Sequence, residues 1–258
     1  MRIVRFALQG RSGYGILEGE KISVLWATPY DDGLKNTTGE VMSLPEVTLL
    51  APCEPTKIVA LGLNYRDHAA EFGHPIPDEP LIFLKPSTSV IGPDEDIVYP
   101  AMSRRVDYEA ELAVVIGRPC RHVQEADFRD YVLGYTCIND VTARDLQQKD
   151  GQFTRSKSFD TFAPLGPWIE TGIPDPDNLT VEAFLNGERR QHSSTRNLVF
   201  PVAALVSFIS RIMTLLPGDV IATGTPSGIG PMAPGDLVEI RVEGIGALRN
   251  RLVPDSQK

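Results

Sequence analysis

The 258-residue chain carries a formal net charge of −9, and 42% of its residues are hydrophobic. That content is ordinary for a globular protein, excludes wholesale disorder and leaves room for a sizeable core. The acidic balance argues against a nucleic-acid or anionic-membrane partner, while 22 glycines and 21 prolines favour a turn-rich, strand-dominated chain over a helix bundle.

The first fifty residues read as short strands divided by glycine turns: Ile3 to Ala7, Tyr14 to Leu17 and Ile22 to Leu25, with Asp31-Asp32-Gly33 as a turn. No unbroken apolar stretch of the signal-peptide kind opens the chain. Ala51 to Pro55, with two prolines, reads as a linker between a small N-terminal β-rich domain, residues 1–51, and a main domain, residues 52–258. Further strands are expected at Ile58 to Leu61, Leu81 to Leu84, Ala110 to Ile116, Val132 to Ile138 and Val238 to Val242. A short helix over Asp67 to Phe72 is closed by Gly73. In a longer one, Val202, Leu205, Val206, Ile209, Met213 and Leu216 recur at three- and four-residue spacing. Pro201 opens that helix and Pro217-Gly218 stops it. Its apolar stretch holds Arg211 and is too short to span a bilayer. Strands dominate and helices interrupt them irregularly, which predicts an α+β, β-rich fold rather than a βαβ repeat. Cys53, Cys120 and Cys137 are odd in number and widely spaced, the pattern of a reduced cytoplasmic protein.

Several segments carry candidate chemistry. Alternate strand residues share a face, so Glu109 and Glu111 point the same way. Such carboxylates repel unless a cation sits between them; the alternative is an exposed, solvated strand face. Asp140 either adds a third carboxylate or, like Asn139, caps a helix through Val141 to Leu146. Three carboxylates with no histidine nearby form an all-oxygen set suited to Mg²⁺ or Mn²⁺ rather than zinc. His68 and Glu71 are helical neighbours, so the pair is either surface electrostatics or an imidazole oriented as a general base. Lys85, before Pro86, and Lys157, in what reads as an irregular polar loop from Arg155 to Phe162, are candidates for holding a carboxylate substrate. Gly224 to Gly230 is glycine-rich but is neither a P-loop nor a nucleophile elbow; its amides are expected to approach a ligand anion. No dinucleotide-binding fingerprint is present.

Six stretches together resemble the fumarylacetoacetate hydrolase family, over roughly residues 56–252: Gly62 to Glu71, Phe83 to Pro86, Asp107 to Glu111, Asn139 to Gln147, Ser156 to Phe162 and Pro217 to Pro226. The likeness is to its acylpyruvate hydrolase, oxaloacetate decarboxylase and 2-hydroxyhepta-2,4-diene-1,7-dioate isomerase members. The resemblance implies a mixed β-sheet roll whose open end holds Mg²⁺ or Mn²⁺ on Glu109, Glu111 and Asp140. It also implies Lys157 beside the metal, Lys85 and Thr225 at substrate-contacting positions, and His68 with Glu71 as a lid-borne base. A 2-oxo acid would chelate the cation, and charge would develop as an enolate. The leading expectation is C–C cleavage of a small 2-oxo acid, by acylpyruvate hydrolysis or oxaloacetate decarboxylation. The alternatives are isomerisation of a 2-hydroxymuconate-type diacid and a non-enzymatic ligand-binding domain, the latter disfavoured because binding alone needs no base. Arg66 and Arg144 are expected to bind a second, distal carboxylate. Loops Phe72 to Pro80 and Thr195 to Phe200 are expected to shape the pocket wall. A homodimer is the oligomeric state that the resemblance suggests.

Overall fold

The computed structural model describes residues 1–30, 33–73 and 75–255. Every strand expected from the sequence is present, with ends moved by at most three residues. Asp31 and Asp32, two of the three residues of the expected turn, lie outside the described residues; Gly33 opens a single 3₁₀ turn, Gly33–Lys35.

A 12-stranded mixed sheet forms the frame. At its centre, Ala110–Ile116 pairs antiparallel with Val132–Asn139 on one side and Val220–Ala222 on the other. Val220–Ala222 then pairs in parallel with Lys57–Gly62, which pairs with the edge strand Leu81–Pro86. Ala110–Ile116 is aliphatic at six of its seven positions and is buried throughout, as a strand covered on both faces must be. Leu112, Val114 and Ile116 pack into the main core, whereas Ala113 and Val115 face a second cluster with Ile58, Ala60 and Val220. Against the main core lie a five-stranded sheet, which includes Leu237–Val242, and the helix Val202–Ile212. A three-stranded sheet of Thr142–Ala143, Val106–Tyr108 and Gly230–Met232 closes one end.

The N-terminal strands have a small core of their own, Val4, Phe6, Leu17 and Ile22. They also extend the large sheet, because Arg2–Leu8 pairs with Ala163–Glu170.

The long helix stops at Ile212, four residues short of the expected Leu216. Tertiary pairing overrides the apolar spacing there. Leu215 exchanges two backbone hydrogen bonds with Cys120, at 2.9 and 3.0 Å, and the Asp219 carboxylate takes the Leu216 N–H at 2.8 Å. The helix expected immediately after Asp140 starts instead at Arg144, and no side chain caps it.

Candidate active site

Glu109 and Asp140 lie where two neighbouring strands leave the large sheet together. Ala110 pairs with Asn139 in that sheet, and Asp107 pairs with Thr142 in the small one. The two pairings are in one unbroken register, which sets Glu109 directly opposite Asp140. Cross-strand partners share a face, and Glu111, two residues on, shares it too. Carboxylate oxygens of Glu109, Glu111 and Asp140 all fall within 4.8 Å of one another. All three residues are buried, so the Glu pair is not a solvated strand face, and Asp140 does not cap a helix.

Two buried ammonium groups hold this charge. Lys157 donates to Glu109 Oε2 at 2.8 Å and to Asp140 Oδ2 at 2.5 Å, and Lys85 donates to Asp140 Oδ1 at 2.6 Å. Lys157 is not in an irregular loop; it ends the short helix Thr154–Lys157 and is 3% exposed. Arg144 donates to Glu109 Oε1, to Asp107 Oδ2 at 2.9 Å and to Gln147 Oε1 at 2.5 Å. Burial alone would raise the Glu109 carboxyl, but Lys157 and Arg144 outweigh it and hold the group well below the usual carboxylate range. Glu111 goes the other way: burial, then the nearby charges of Asp140 and Glu109, push its carboxyl well up. Its one hydrogen-bond donor among the described residues is the Gly224 N–H, at 2.7 Å.

Helix Arg66–Phe72 carries His68 and Glu71. His68 Nδ1 lies 3.4 Å from Glu71 Oε2. Burial lowers the imidazole pKa, against the opposing pull of Glu109 and Glu71, and so favours the neutral ring. Both Glu71 oxygens lie 3.3 Å from the Gly228 N–H. Gly228 has φ +91°, and a Cβ there would sit 2.4 Å from the Arg190 carbonyl, so only glycine lets the loop come this close. The Gly224 and Gly228 amides of the glycine loop thus meet the protein's own carboxylates, Glu111 and Glu71.

A cavity of about 370 Å³ opens on this constellation, lined by His68, Glu109, Lys157, Arg144 and Thr225. Thr225 Oγ1 donates to the Ala110 carbonyl at 3.0 Å and accepts from Gln191 at 2.9 Å. Lys85 is fully enclosed behind the carboxylates rather than on the wall. Arg66 is exposed, donates to the Leu198 carbonyl at 2.5 Å and is not among the lining residues. The described residues of the expected loops do not line the wall; His74 and the Phe72 side chain lie outside the described residues. Among the described residues it comes from Leu61 to Leu63, Phe83, Gln147, Gln148 and Phe153, while the Phe200 and Leu198 carbonyls accept from Asn64 and Arg66.

Three contributors had no role in the sequence reading. Asn64 ties the helix that carries His68 to the frame, donating to the Thr223 carbonyl at 2.8 Å and accepting from Phe200 N at 2.9 Å. Asp107, fully buried, bridges Arg105 and Arg144; its two-residue spacing from Glu109 was a usable signal. Gln191 orients Thr225 from a polar strand, Glu188–Ser194, that carries no such signal.

The donor set fits a hard divalent cation. It is all oxygen, and the charge crowding that raises Glu111 is what a dication would relieve. Residues 57–253 match the family model for fumarylacetoacetate (FAA) hydrolase C-terminal, and residues 1–52 match Rv2993c-like, N-terminal. The chain belongs to the fumarylacetoacetate hydrolase family. Protein Rv2993c of Mycobacterium tuberculosis is 46% identical over 260 residues, covering 98% of each chain. A solved 5-carboxymethyl-2-hydroxymuconate delta-isomerase from Mycobacterium smegmatis is 45% identical, with a TM-score of 0.93 and coverage of 99% of this chain and 100% of that one. Maleylpyruvate hydrolase from Sphingobium sp. SYK-6, solved with manganese(II) and pyruvate, is 33% identical with a TM-score of 0.83 over 99% and 100% of the two chains. Fumarylacetoacetate hydrolase family members are enzymes, and both hydrolases and isomerases occur among these neighbours.

Proposed function

We propose that the chain is a divalent-metal-dependent enzyme that cleaves a C–C bond in a small 2-oxo acid, by acylpyruvate hydrolysis or oxaloacetate decarboxylation. The observation that carries this reading is His68, half-buried on the wall of a cavity that also presents Glu109 and Lys157, with Glu71 beside its ring. Glu109, Glu111 and Asp140 would hold Mg²⁺ or Mn²⁺, which when bound supplies Lewis-acid stabilisation of negative charge developing on the 2-oxo group. His68, kept neutral by burial, takes a proton from water, and Glu71 stabilises the resulting imidazolium. In hydrolysis the water oxygen bonds to C4 and the C3–C4 bond breaks, leaving its electron pair on C3. The proton held by His68 then passes to C3, and the products are a carboxylic acid and pyruvate. With oxaloacetate the same bond breaks to release carbon dioxide, and C3 takes one proton.

The 45% identity to the delta-isomerase supports a second reading, in which the same base moves a proton along a 2-hydroxymuconate-type diacid. We also read the enzyme as a cytoplasmic homodimer. Buried, free Cys53, Cys120 and Cys137 accord with that compartment, and no described helix is long and apolar enough to cross a membrane. Light scattering on the purified protein tests the dimer.

A proton NMR time course on metal-stripped protein tests the chemistry, with oxaloacetate, acetylpyruvate or a 2-hydroxymuconate-type diacid and with Mg²⁺, Mn²⁺ or chelator. Metal-dependent pyruvate above the protein-free control is the expected result, and the co-product separates hydrolysis from decarboxylation. Redistribution of diene signals without pyruvate would replace the leading reading with the isomerase.

A further inference from the structure

The cavity below His68 is lined by two unlike sets of residues. One is polar: His68, Glu109, Arg144 and Lys157, with Gln147, Gln148 and Thr225. The other is apolar: Leu61, Leu63, Phe83 and Phe153. The cations of the first set are already engaged. Arg144 serves Asp107, Glu109 and Gln147, and Lys157 serves Glu109 and Asp140. Among the described residues, no further lysine or arginine lines the cavity. A second carboxylate on the substrate would therefore find no unengaged cation: it would lie against leucine and phenylalanine, rely on neutral glutamine and threonine groups alone, or compete with buried protein carboxylates for their partners. Each arrangement is unfavourable for a charge leaving water.

The apolar set is also built rather than incidental. Phe153 stands edge-on to Phe83, with ring centroids 5.2 Å apart and planes at 90°. Its ring is seated against the backbone, since a Cβ on Gly62 would meet it at 3.2 Å. Leu63 occupies the left-handed region at φ +55°, where glycine is free of strain and leucine is not. A strained, bulky side chain on a cavity wall is the kind of outlier that marks a ligand contact.

We propose that this wall receives a neutral, apolar acyl substituent, alkyl or aryl, on an acylpyruvate, and that Leu63 and Phe153 set that specificity. The inference rests on the C–C cleavage reading and narrows it to substrates without a second carboxylate.

The test uses the full chain loaded with Mn²⁺ and has a binding arm and a turnover arm. Phenylpyruvate and 2-oxoglutarate lack a 4-oxo group and cannot be hydrolysed in the proposed way, so calorimetry reads their affinity alone. Phenylpyruvate should bind at least about tenfold more tightly, the scale on which apolar pockets discriminate. In turnover, kcat/KM for benzoylpyruvate should exceed that for fumarylpyruvate by a similar factor. Phe153→Ala and Leu63→Gly should each bring the preference toward parity, mainly through KM, and Phe153→Arg should favour the diacid. The two wall variants are independent, so one that fails to fold leaves the other to decide. Equal or tighter binding of 2-oxoglutarate, binding of neither acid, or an unchanged preference in the folded wall variants would overturn the inference. An intact binding preference with no pyruvate release from either 4-oxo acid would overturn the cleavage reading alone.

Discussion

Glu109 and Glu111 stand two residues apart in opposite electrostatic circumstances. Lys157 and Arg144 hold Glu109 ionised against the effect of burial, whereas burial and the charges of Asp140 and Glu109 drive Glu111 toward its protonated form. In the metal-free protein, Glu109→Gln leaves buried cations under-compensated and should cost about 3–5 kcal/mol. Glu111→Gln removes a charge that the fold resists and should leave stability unchanged or raised. Their pH dependences differ in sign. The Glu111 contribution is fully present below its unfolded-state pKa and is lost as pH rises through the raised folded value. That of Glu109 is present above the unfolded-state value and is lost as pH falls toward the depressed one. Urea denaturation in chelator from about pH 2 to pH 8 checks both. A Glu111→Gln curve that loses stability with rising pH as steeply as the parent would show that Glu111 is not the group under strain.

Elements position the proposed base, His68, as much as its own neighbours do. Helix Arg66–Phe72 is a short piece held at several points: Asn64 to Thr223 and Phe200, Asp67 to Ser193 at 2.6 Å, and Glu71 to Gly228. Asn64→Ala deletes the first tether and leaves a buried carbonyl and amide without their partner, at a cost of roughly 1–3 kcal/mol. Turnover should fall while Mn²⁺ affinity, measured by calorimetry, stays within about twofold of the parent. Loss of metal binding would instead place Asn64 in the carboxylate frame. The helix itself and eight strands were legible in the sequence, because apolar runs, prolines and glycines mark such segments locally, whereas Thr37–Ser43, Ala163–Glu170, Thr180–Leu185, Glu188–Ser194 and Gly246–Pro254 were not expected. What could not be read was register. Nothing in the letters pairs Ala110 with Asn139 and Asp107 with Thr142, yet that pairing brings Asp140 to the two glutamates. Lys157 was misplaced for a related reason: its polar neighbours read as a surface loop, while tertiary packing buries it between two carboxylates. The end of the long helix was lost to a backbone bridge with Cys120, a partner ninety-five positions away in sequence and invisible to periodicity.

At the scale of the molecule, the carboxylates belong to the least separable part of the frame. Glu111 is in the central strand of the 12-stranded sheet, Asp140 follows its neighbour, and Glu109 marks the passage of that central strand into the small sheet. A cation bound by all three would tie the two sheets through residues that can separate only when the frame opens. Binding to the folded state alone should then stabilise the whole chain, by about 2.7 kcal/mol at a free-ion concentration one hundred times Kd. For a protein of this length that corresponds to a Tm increase of about 5–10 °C. Calorimetric melting of metal-stripped protein with Mn²⁺ or Mg²⁺ should show such a rise, reversed by chelator and absent in Glu111→Gln. A Tm indifferent to both ions and to chelator would make Glu109, Glu111 and Asp140 an internal ionic lock completed by Lys85 and Lys157. It would also take the metal out of the proposed chemistry.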